Sequence, residues 1–102
     1  MNVNITETAK RIIEEDFRKI ANTNFDAVIQ FVYVEKGKHY RTEGAHWSMG
    51  YYKREAFPDS WIRSYFGFDF AVDPNSEITK YKLVTIDADG KYLVVLTDEK
   101  RI

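Results

Sequence analysis

The sequence predicts an α+β fold in a single domain, residues 1–102, with a four-stranded, mostly antiparallel sheet built from two hairpins. An amphipathic N-terminal helix precedes the first hairpin, and a second short helix lies between the hairpins. Three observations predict this order: apolar residues at helical spacing near the N-terminus, alternating apolar residues over 25–34, and a second alternating segment around an Asp-Gly turn. The length suits one domain, and 44% hydrophobic residues suffice for a core.

The N-terminal helix is expected from about residue 5 to about residue 21, because its apolar residues fall on one stripe. Asn4 and Glu7 resemble a capping box, and Asn22 lies where a left-handed C-terminal cap is expected. On the opposite face, acidic residues stand four positions before basic ones. This pattern indicates a solvated helix face more than a carboxylate site at residues 14–16. The apolar stripe consists of Ile5, Ala9, Ile12, Ile13, Phe17 and Ile20.

The first hairpin begins at residues 25–34, whose β-branched and aromatic side chains alternate as they do in a strand. Gly37 is expected to supply the positive φ of a tight turn. The return strand is then expected over 38–43, which places Tyr40 opposite Tyr33.

A short helix is expected between the hairpins, from Pro58 to Gly67. Proline is tolerated at the first helical position, and glycine is typical just after a helix end. The helix would present one apolar side, whose aromatic members are interpreted as core. That side consists of Trp61, Ile62, Tyr65 and Phe66.

The second hairpin is expected from residues 80–86 and 91–97, joined through residues 87–90, where Asp-Gly favours a tight turn. Both of its faces carry apolar side chains, which predicts a hairpin that is central in the sheet or covered on both sides. One face holds Val84, Ile86, Leu93 and Val95; the other holds Tyr81, Leu83, Tyr92, Val94 and Leu96.

Composition excludes several classes of protein. The absence of cysteine excludes a disulfide framework, a thiolate zinc site and a cysteine nucleophile, and it favours a reducing compartment. The N-terminal residues lack the basic and apolar regions of a signal peptide, and nowhere do eighteen apolar residues follow one another. We therefore expect a cytoplasmic protein without a membrane span.

Two groups of residues suggest chemistry, and we interpret neither as a site. Residues 87–90 resemble the opening of a calcium loop but lack its third ligand, its later glutamate and its flanking helices. His39 and His46 stand an odd number of residues apart, so a regular strand would place them on opposite faces and away from a shared carboxylate such as Glu43. The sequence predicts no catalytic residue, no metal and no cofactor.

The segment between residues 40 and 66 carries the predicted contact surface. The middle third of the chain, residues 36–67, has six basic and three acidic side chains and is the only third with net positive charge. Aromatic and arginine side chains are typical of interface hot spots, and basic residues among aromatics also suit single-stranded nucleic acid. The alternative is that the aromatics form core. The predicted contact residues are Arg41, Trp47, Tyr51, Tyr52, Lys53, Arg54 and Arg63.

These observations favour a small non-enzymatic binding protein that occupies a functional surface of a larger protein or nucleoprotein. Inhibitors encoded by phages and other mobile elements, including viral anti-defence proteins, often share this size and lack of motifs, which is an association and not a derivation. The alternative is a nucleic-acid-binding module using the same basic-aromatic residues. An enzyme acting through His46 and Glu43 is a third hypothesis. The sequence does not specify the oligomeric state, although a spare apolar face of the second hairpin would suit a homodimer.

Overall fold

The computed structural model describes residues 1–35 and 45–98, which form one α-helix and seven strands. The helix, α1, spans Glu7–Ala21, and short 3-10 turns occur at Arg54–Ala56, Asp59–Trp61 and Glu77–Lys80. No helix in these residues is both long enough and apolar enough to cross a membrane. The strands are β1 (Asn2–Ile5), β2 (Ala27–Val34), β3 (His46–Lys53), β4 (Ile62–Tyr65), β5 (Phe68–Ala71), β6 (Leu83–Asp89) and β7 (Tyr92–Thr97).

The strands form two sheets. One has the order β1-β6-β7, with β1 parallel to β6 and β6 antiparallel to β7; the other has the order β3-β2-β5-β4. In the second sheet only β2 and β5 are parallel, and Ile29 pairs with Phe70 there. The α+β class is confirmed, whereas one four-stranded sheet holding both hairpins was wrong. Strand β2 with its partner β3, and the C-terminal hairpin, belong to different sheets, each extended by strands from elsewhere in the chain.

The start of the chain pairs as a strand before the helix begins. Residues Asn2–Ile5 lie beside β6, and Thr6 is the N-cap, with its hydroxyl accepting a hydrogen bond from the backbone N–H of Ala9. The Asn4 capping box was therefore wrong. At the other end Asn22 has right-handed helical φ and ψ, and the positive φ of 58° occurs at Asn24.

Helix α1 and the inner faces of both sheets bury one core. The helix contributes Ala9 and Ile13, which are fully buried, and Phe17 packs at the edge of the cluster. The ion pairs on its solvated face are spaced three residues apart, Glu7 with Lys10 and Glu15 with Arg18, and not four as expected. The sheets and connecting segments contribute Ile5, Ile29, Phe31, Phe70, Val72, Ile78, Val84 and Ile86.

Residues 58–67 do not form the expected helix. Residues Asp59–Trp61 form one 3-10 turn, after which β4 and β5 make a tight hairpin. Its two loop residues, Phe66 and Gly67, both have positive φ, 55° and 83°, as in the hairpin turns whose twist matches that of paired strands. Gly67 thus serves the turn of a hairpin and not the end of a helix. Tyr65 packs against the core, whereas Phe66 is 52% exposed.

The return strand expected at 38–43, with Tyr40 opposite Tyr33, lies outside the described residues. The partner of β2 that the structure describes is β3, and Trp47 stands opposite Tyr33. The C-terminal hairpin is confirmed, with different bounds: β6 begins at Leu83 and not at residue 80, and it includes residues 87–89, which were expected in the turn. Strands β6 and β7 pair antiparallel from Val84 with Thr97 to Asp89 with Tyr92, and Gly90 in the turn has a φ of 62°.

Candidate binding surfaces

Trp47 and Tyr51, two of the predicted contact residues, lie on the inner face of β3. Both are half-buried and pack against the core. The Tyr51 ring meets the Phe17 ring edge to face, with centroids 5.4 Å apart, and its hydroxyl donates a 2.6 Å hydrogen bond to Oδ2 of Asp16. Tyr51 therefore fastens α1 to the sheet. Burial raises the pKa of Tyr51, and the hydrogen bond and the negative charge of Asp16 raise it further.

Tyr52 points to the opposite face of the same strand. It is 38% exposed, and its ring meets Phe57 edge to face, with centroids 6.4 Å apart. The ring lies along the strand over Gly50, where a Cβ would be 2.9 Å from Cε2 of Tyr52. Any other residue at position 50 would displace the Tyr52 ring. Glycine therefore permits the placement of an exposed aromatic ring on β3.

The basic members of the predicted set are spread over the molecule. Lys53 Nζ lies 5.9 Å from the centre of the Phe25 ring, and Arg54 Nη1 lies 3.6 Å from Oδ1 of Asp59. Arg63 is exposed on β4, the far edge of the sheet from β3. Arg41 lies outside the described residues. The described members do not form one patch: Trp47 and Tyr51 share the inner face of β3, whereas Tyr52, Lys53 and Arg54 are neighbours in sequence at its end.

A cleft separates the two sheets where β3 and β7 adjoin. Their Cα atoms approach within 8 Å, yet no backbone hydrogen bond joins the described residues of these strands. A cavity of about 390 Å³ lies between them. Met49 and Tyr51 from β3, and Leu93 and Val95 from β7, line the cleft and also pack against the core. The inner faces of both strands therefore point to the same side.

A larger cavity, of about 600 Å³, opens at one end of this cleft and is called the end cavity here. Three aromatic side chains and one carboxylate contribute to it. Tyr33 and Trp47 come from paired positions of β2 and β3, and Glu77 and Tyr81 come from the 3-10 turn before β6 and the residue that follows it. The complete lining is Tyr33, Ala45, His46, Trp47, Glu77, Tyr81, Val95 and Thr97.

The second face of the C-terminal hairpin is exposed, contrary to the expectation that it would be central or covered. Leu83, Tyr92 and Leu96 are 42%, 48% and 52% exposed. They alternate with the core residues of β6 and β7 and so share one side of the sheet, together with Val94. We call Leu83, Tyr92, Val94 and Leu96 the outer hairpin face.

Acidic residues border the outer hairpin face. Asp87 and Asp89 share its side of β6 by strand alternation, and Asp98 follows β7. The Asp87 carboxylate accepts hydrogen bonds from the Thr6 hydroxyl, at 2.9 Å, and from the backbone N–H of Ala88, at 2.8 Å. Asp98 accepts a 3.4 Å hydrogen bond from the backbone N–H of Leu83. The hydrogen bonds of Asp87 and Asp98 stabilise the ends of the sheet, and the carboxylates of Asp87 and Asp89 lie beside the apolar side chains of the face.

Metal binding and histidine catalysis both require clustered histidine or carboxylate side chains, which we sought in residues 1–35 and 45–98. No three histidine, aspartate or glutamate side chains there lie close enough together to hold a metal ion. His46 lines the end cavity, whereas His39 and Glu43 lie outside the described residues. Comparisons with protein-family models, with curated proteins and with solved structures find no match to this chain.

Proposed function

We propose that this chain is a non-enzymatic binding protein that contacts a larger protein through the outer hairpin face. The observation that carries the proposal is the side-by-side exposure of Leu83, Tyr92 and Leu96, between 42% and 52%, on one side of a three-stranded sheet. Full burial of such a side chain contributes about 1.5–3 kcal/mol, so each half-exposed residue offers a partner on the order of 1 kcal/mol. A cluster of this kind, with a polar border, is typical of protein interfaces.

The charge of the border specifies the chemistry of the partner. Asp87 and Asp89 lie directly opposite Val94 and Tyr92, and Asp98 follows β7, so a complementary protein surface combines apolar side chains with basic ones. A phosphate backbone would be repelled by the same carboxylates. The outer hairpin face therefore favours a protein over a nucleic acid.

Leu96→Lys is expected to abolish most of the binding while preserving the fold. Leu96 is 52% exposed, so we expect the free energy of unfolding to change by less than about 1 kcal/mol. A lysine there would place a charge against apolar side chains of the partner, and affinity should fall at least about tenfold, or about 1.4 kcal/mol. Phe66→Lys is the matched control, because Phe66 is also 52% exposed but lies on the β4–β5 turn.

Photocrosslinking can identify the partner before affinities are measured. A photoreactive phenylalanine analogue at Tyr92 is expected to give a crosslinked protein in the host, and the same analogue at Phe66 is not. Calorimetry with that protein then compares the two lysine variants.

A crosslinked product of twice the mass of this chain would identify a homodimer. Equal crosslinking from both positions, or full affinity of Leu96→Lys, would contradict the proposal. An inhibitory role of the phage or mobile-element kind remains a prediction, which assays of the captured partner's activity test.

A second candidate function, binding of single-stranded nucleic acid, is favoured by the exposed ring of Tyr52. Its ring, 38% exposed, has Lys53 and Arg54 as neighbours in sequence, an arrangement that suits base stacking with phosphate neutralisation. This candidate uses a different surface from the outer hairpin face. The two functions can therefore be separated by substitution.

The double variant Lys53→Glu, Arg54→Glu is expected to leave stability within about 1 kcal/mol, because the Arg54–Asp59 pair is a surface ion pair. Affinity for a protein bound at the outer hairpin face should stay within about twofold. A nucleic-acid binder would instead lose roughly one unit of log–log salt slope for each phosphate contact removed, as measured by fluorescence anisotropy with labelled oligonucleotides. A tenfold loss of affinity for the protein partner would place its contact surface in the predicted basic-aromatic residues.

A further inference from the structure

We propose that the end cavity binds an alkylammonium group, held between the rings of Tyr33, Trp47 and Tyr81 and balanced by the carboxylate of Glu77. The site lies at the end of the cleft between the sheets, on residues that do not belong to the outer hairpin face. Its occupation is independent of the protein-binding function proposed above.

The arrangement of the rings supports a cation site. Tyr33 and Trp47 stand opposite each other on β2 and β3, with ring centroids 5.3 Å apart and planes inclined by 70°. Two rings at this angle form adjoining walls of a corner. Tyr81 forms part of a further wall of the cavity. It directly follows the 3-10 turn Glu77–Lys80, and its backbone N–H donates a hydrogen bond to the carbonyl oxygen of Ile78 in that turn. Aromatic corners of this kind attract cations through the negative potential of the ring faces.

The charged groups that line the end cavity also favour a cation. Among the described residues that line the end cavity there is one carboxylate, Glu77, and no lysine or arginine. Oε1 of Glu77 lies 2.9 Å from Nζ of Lys80 in an exposed pair, a kind of interaction that contributes little energy. Tyr33 is 56% exposed although it lies within a paired strand, so a ligand has access to its ring.

An organic cation fits this lining better than an inorganic one. Calcium and magnesium prefer six or more oxygen ligands, and no group of three or more potential ligand side chains occurs in the described residues. A methylated ammonium is weakly hydrated and can contact several rings at once. The volume of about 600 Å³ also accommodates the alkyl chain that carries the cation, beside the short side chains of Ala45, Val95 and Thr97.

The test compares choline with 3,3-dimethylbutan-1-ol, which has the same shape with carbon in place of the charged nitrogen. In a Trp61→Phe background Trp47 is the only tryptophan, since the sequence contains two, and its fluorescence reports binding in the cavity. We expect saturable changes with choline and an affinity about five- to thirty-fold higher than that of the neutral alcohol. Equal affinities, or no saturable change with choline, would overturn the proposal.

Two variants and one control test whether choline binds in the end cavity. Tyr33→Leu and Glu77→Gln should each weaken choline binding by at least about threefold, because each removes one source of attraction for the cation. Tyr92→Leu removes a similarly exposed tyrosine, 48% against 56%, from the outer hairpin face and should leave choline binding unchanged. Undiminished choline binding in both cavity variants would contradict the assignment.

The source of the cation is resolved by a second titration. A pentapeptide carrying trimethyllysine that binds more tightly than choline would identify a modified side chain as the ligand, whereas equal or weaker binding would identify a free quaternary amine. Either result supports the site. If the peptide and choline both fail to bind, the proposal is wrong.

Discussion

Phe70→Ala is expected to lower the free energy of unfolding by about 3–5 kcal/mol, as measured by denaturant titration. Phe70 is fully buried on β5, the strand that joins β2 to β4. Its ring lies 5.5 Å from the Phe31 ring and 5.2 Å from the Tyr65 ring, centroid to centroid. Its removal leaves a cavity between side chains of β2 and β4, and a chain of this size has little stability to spare.

Phe66→Ala is the matched control, four residues earlier in the same hairpin. Its ring is 52% exposed and lies 4.5 Å from Nζ of Lys10, a contact that contributes about 0.5–1 kcal/mol. We therefore expect a loss of no more than about 1 kcal/mol. Losses of equal size in the two variants would contradict the packing of β5 at the centre of the sheet.

The local elements of the fold were largely predictable. Helix α1, strand β2 and the C-terminal hairpin each have enough residues for their apolar period to be recognised. The same periods predict which side chains meet. Ile13, Phe31 and Ile86 share the core cluster, with Phe17 packed against it.

The division of the strands between two sheets was not predictable, because it depends on long-range pairing. Residues Asn2–Ile5 pair in parallel with β6, some eighty residues away in sequence, and nothing in four residues specifies that partner. Ile5 also fits the helical stripe, so the helix was expected to begin there. The helix predicted over residues 58–67 was wrong for a different reason. A short apolar segment is compatible with either a helix or a strand, and here the turn at Phe66-Gly67, with positive φ at both residues, makes it a hairpin.

The contact surface was harder to predict because neighbouring residues on a strand have opposite environments. Tyr51 is fastened to Asp16 and faces the core, while Tyr52, the next residue, is exposed. Residue type alone does not distinguish these two tyrosines. Their environments differ because successive residues of β3 point to opposite faces of the sheet. The second apolar face of the C-terminal hairpin was recognised from sequence. The pattern favoured a cover on this face, whereas the structure leaves Leu83, Tyr92 and Leu96 exposed.

Tyr51→Phe is expected to lower the free energy of unfolding by about 1.5–3 kcal/mol at pH 7, because it removes a hydrogen bond to a carboxylate between α1 and β3. Tyr52→Phe is the control on the opposite face of the same strand, and it retains the hydrogen bond of Tyr51. Denaturant titrations of the three proteins measure both changes. A loss no larger for Tyr51→Phe than for Tyr52→Phe would contradict the role assigned to Asp16.

The same pair of variants predicts how stability depends on alkaline pH. The folded chain raises the pKa of Tyr51 above its ordinary value near 10, first through burial and then through Asp16. The stabilisation is therefore complete below about pH 10 and is lost as pH rises toward the folded-state pKa, because the unfolded chain ionises first. The greatest slope is about 1.4 kcal/mol per pH unit, and solvent screening at this half-buried position reduces it. Unfolding free energies at pH 8 and pH 11 should differ less in Tyr51→Phe than in the natural chain, and Tyr52→Phe should behave like the natural chain. An equal pH dependence in all three proteins would show that the Tyr51 hydroxyl does not favour its protonated form in the folded state.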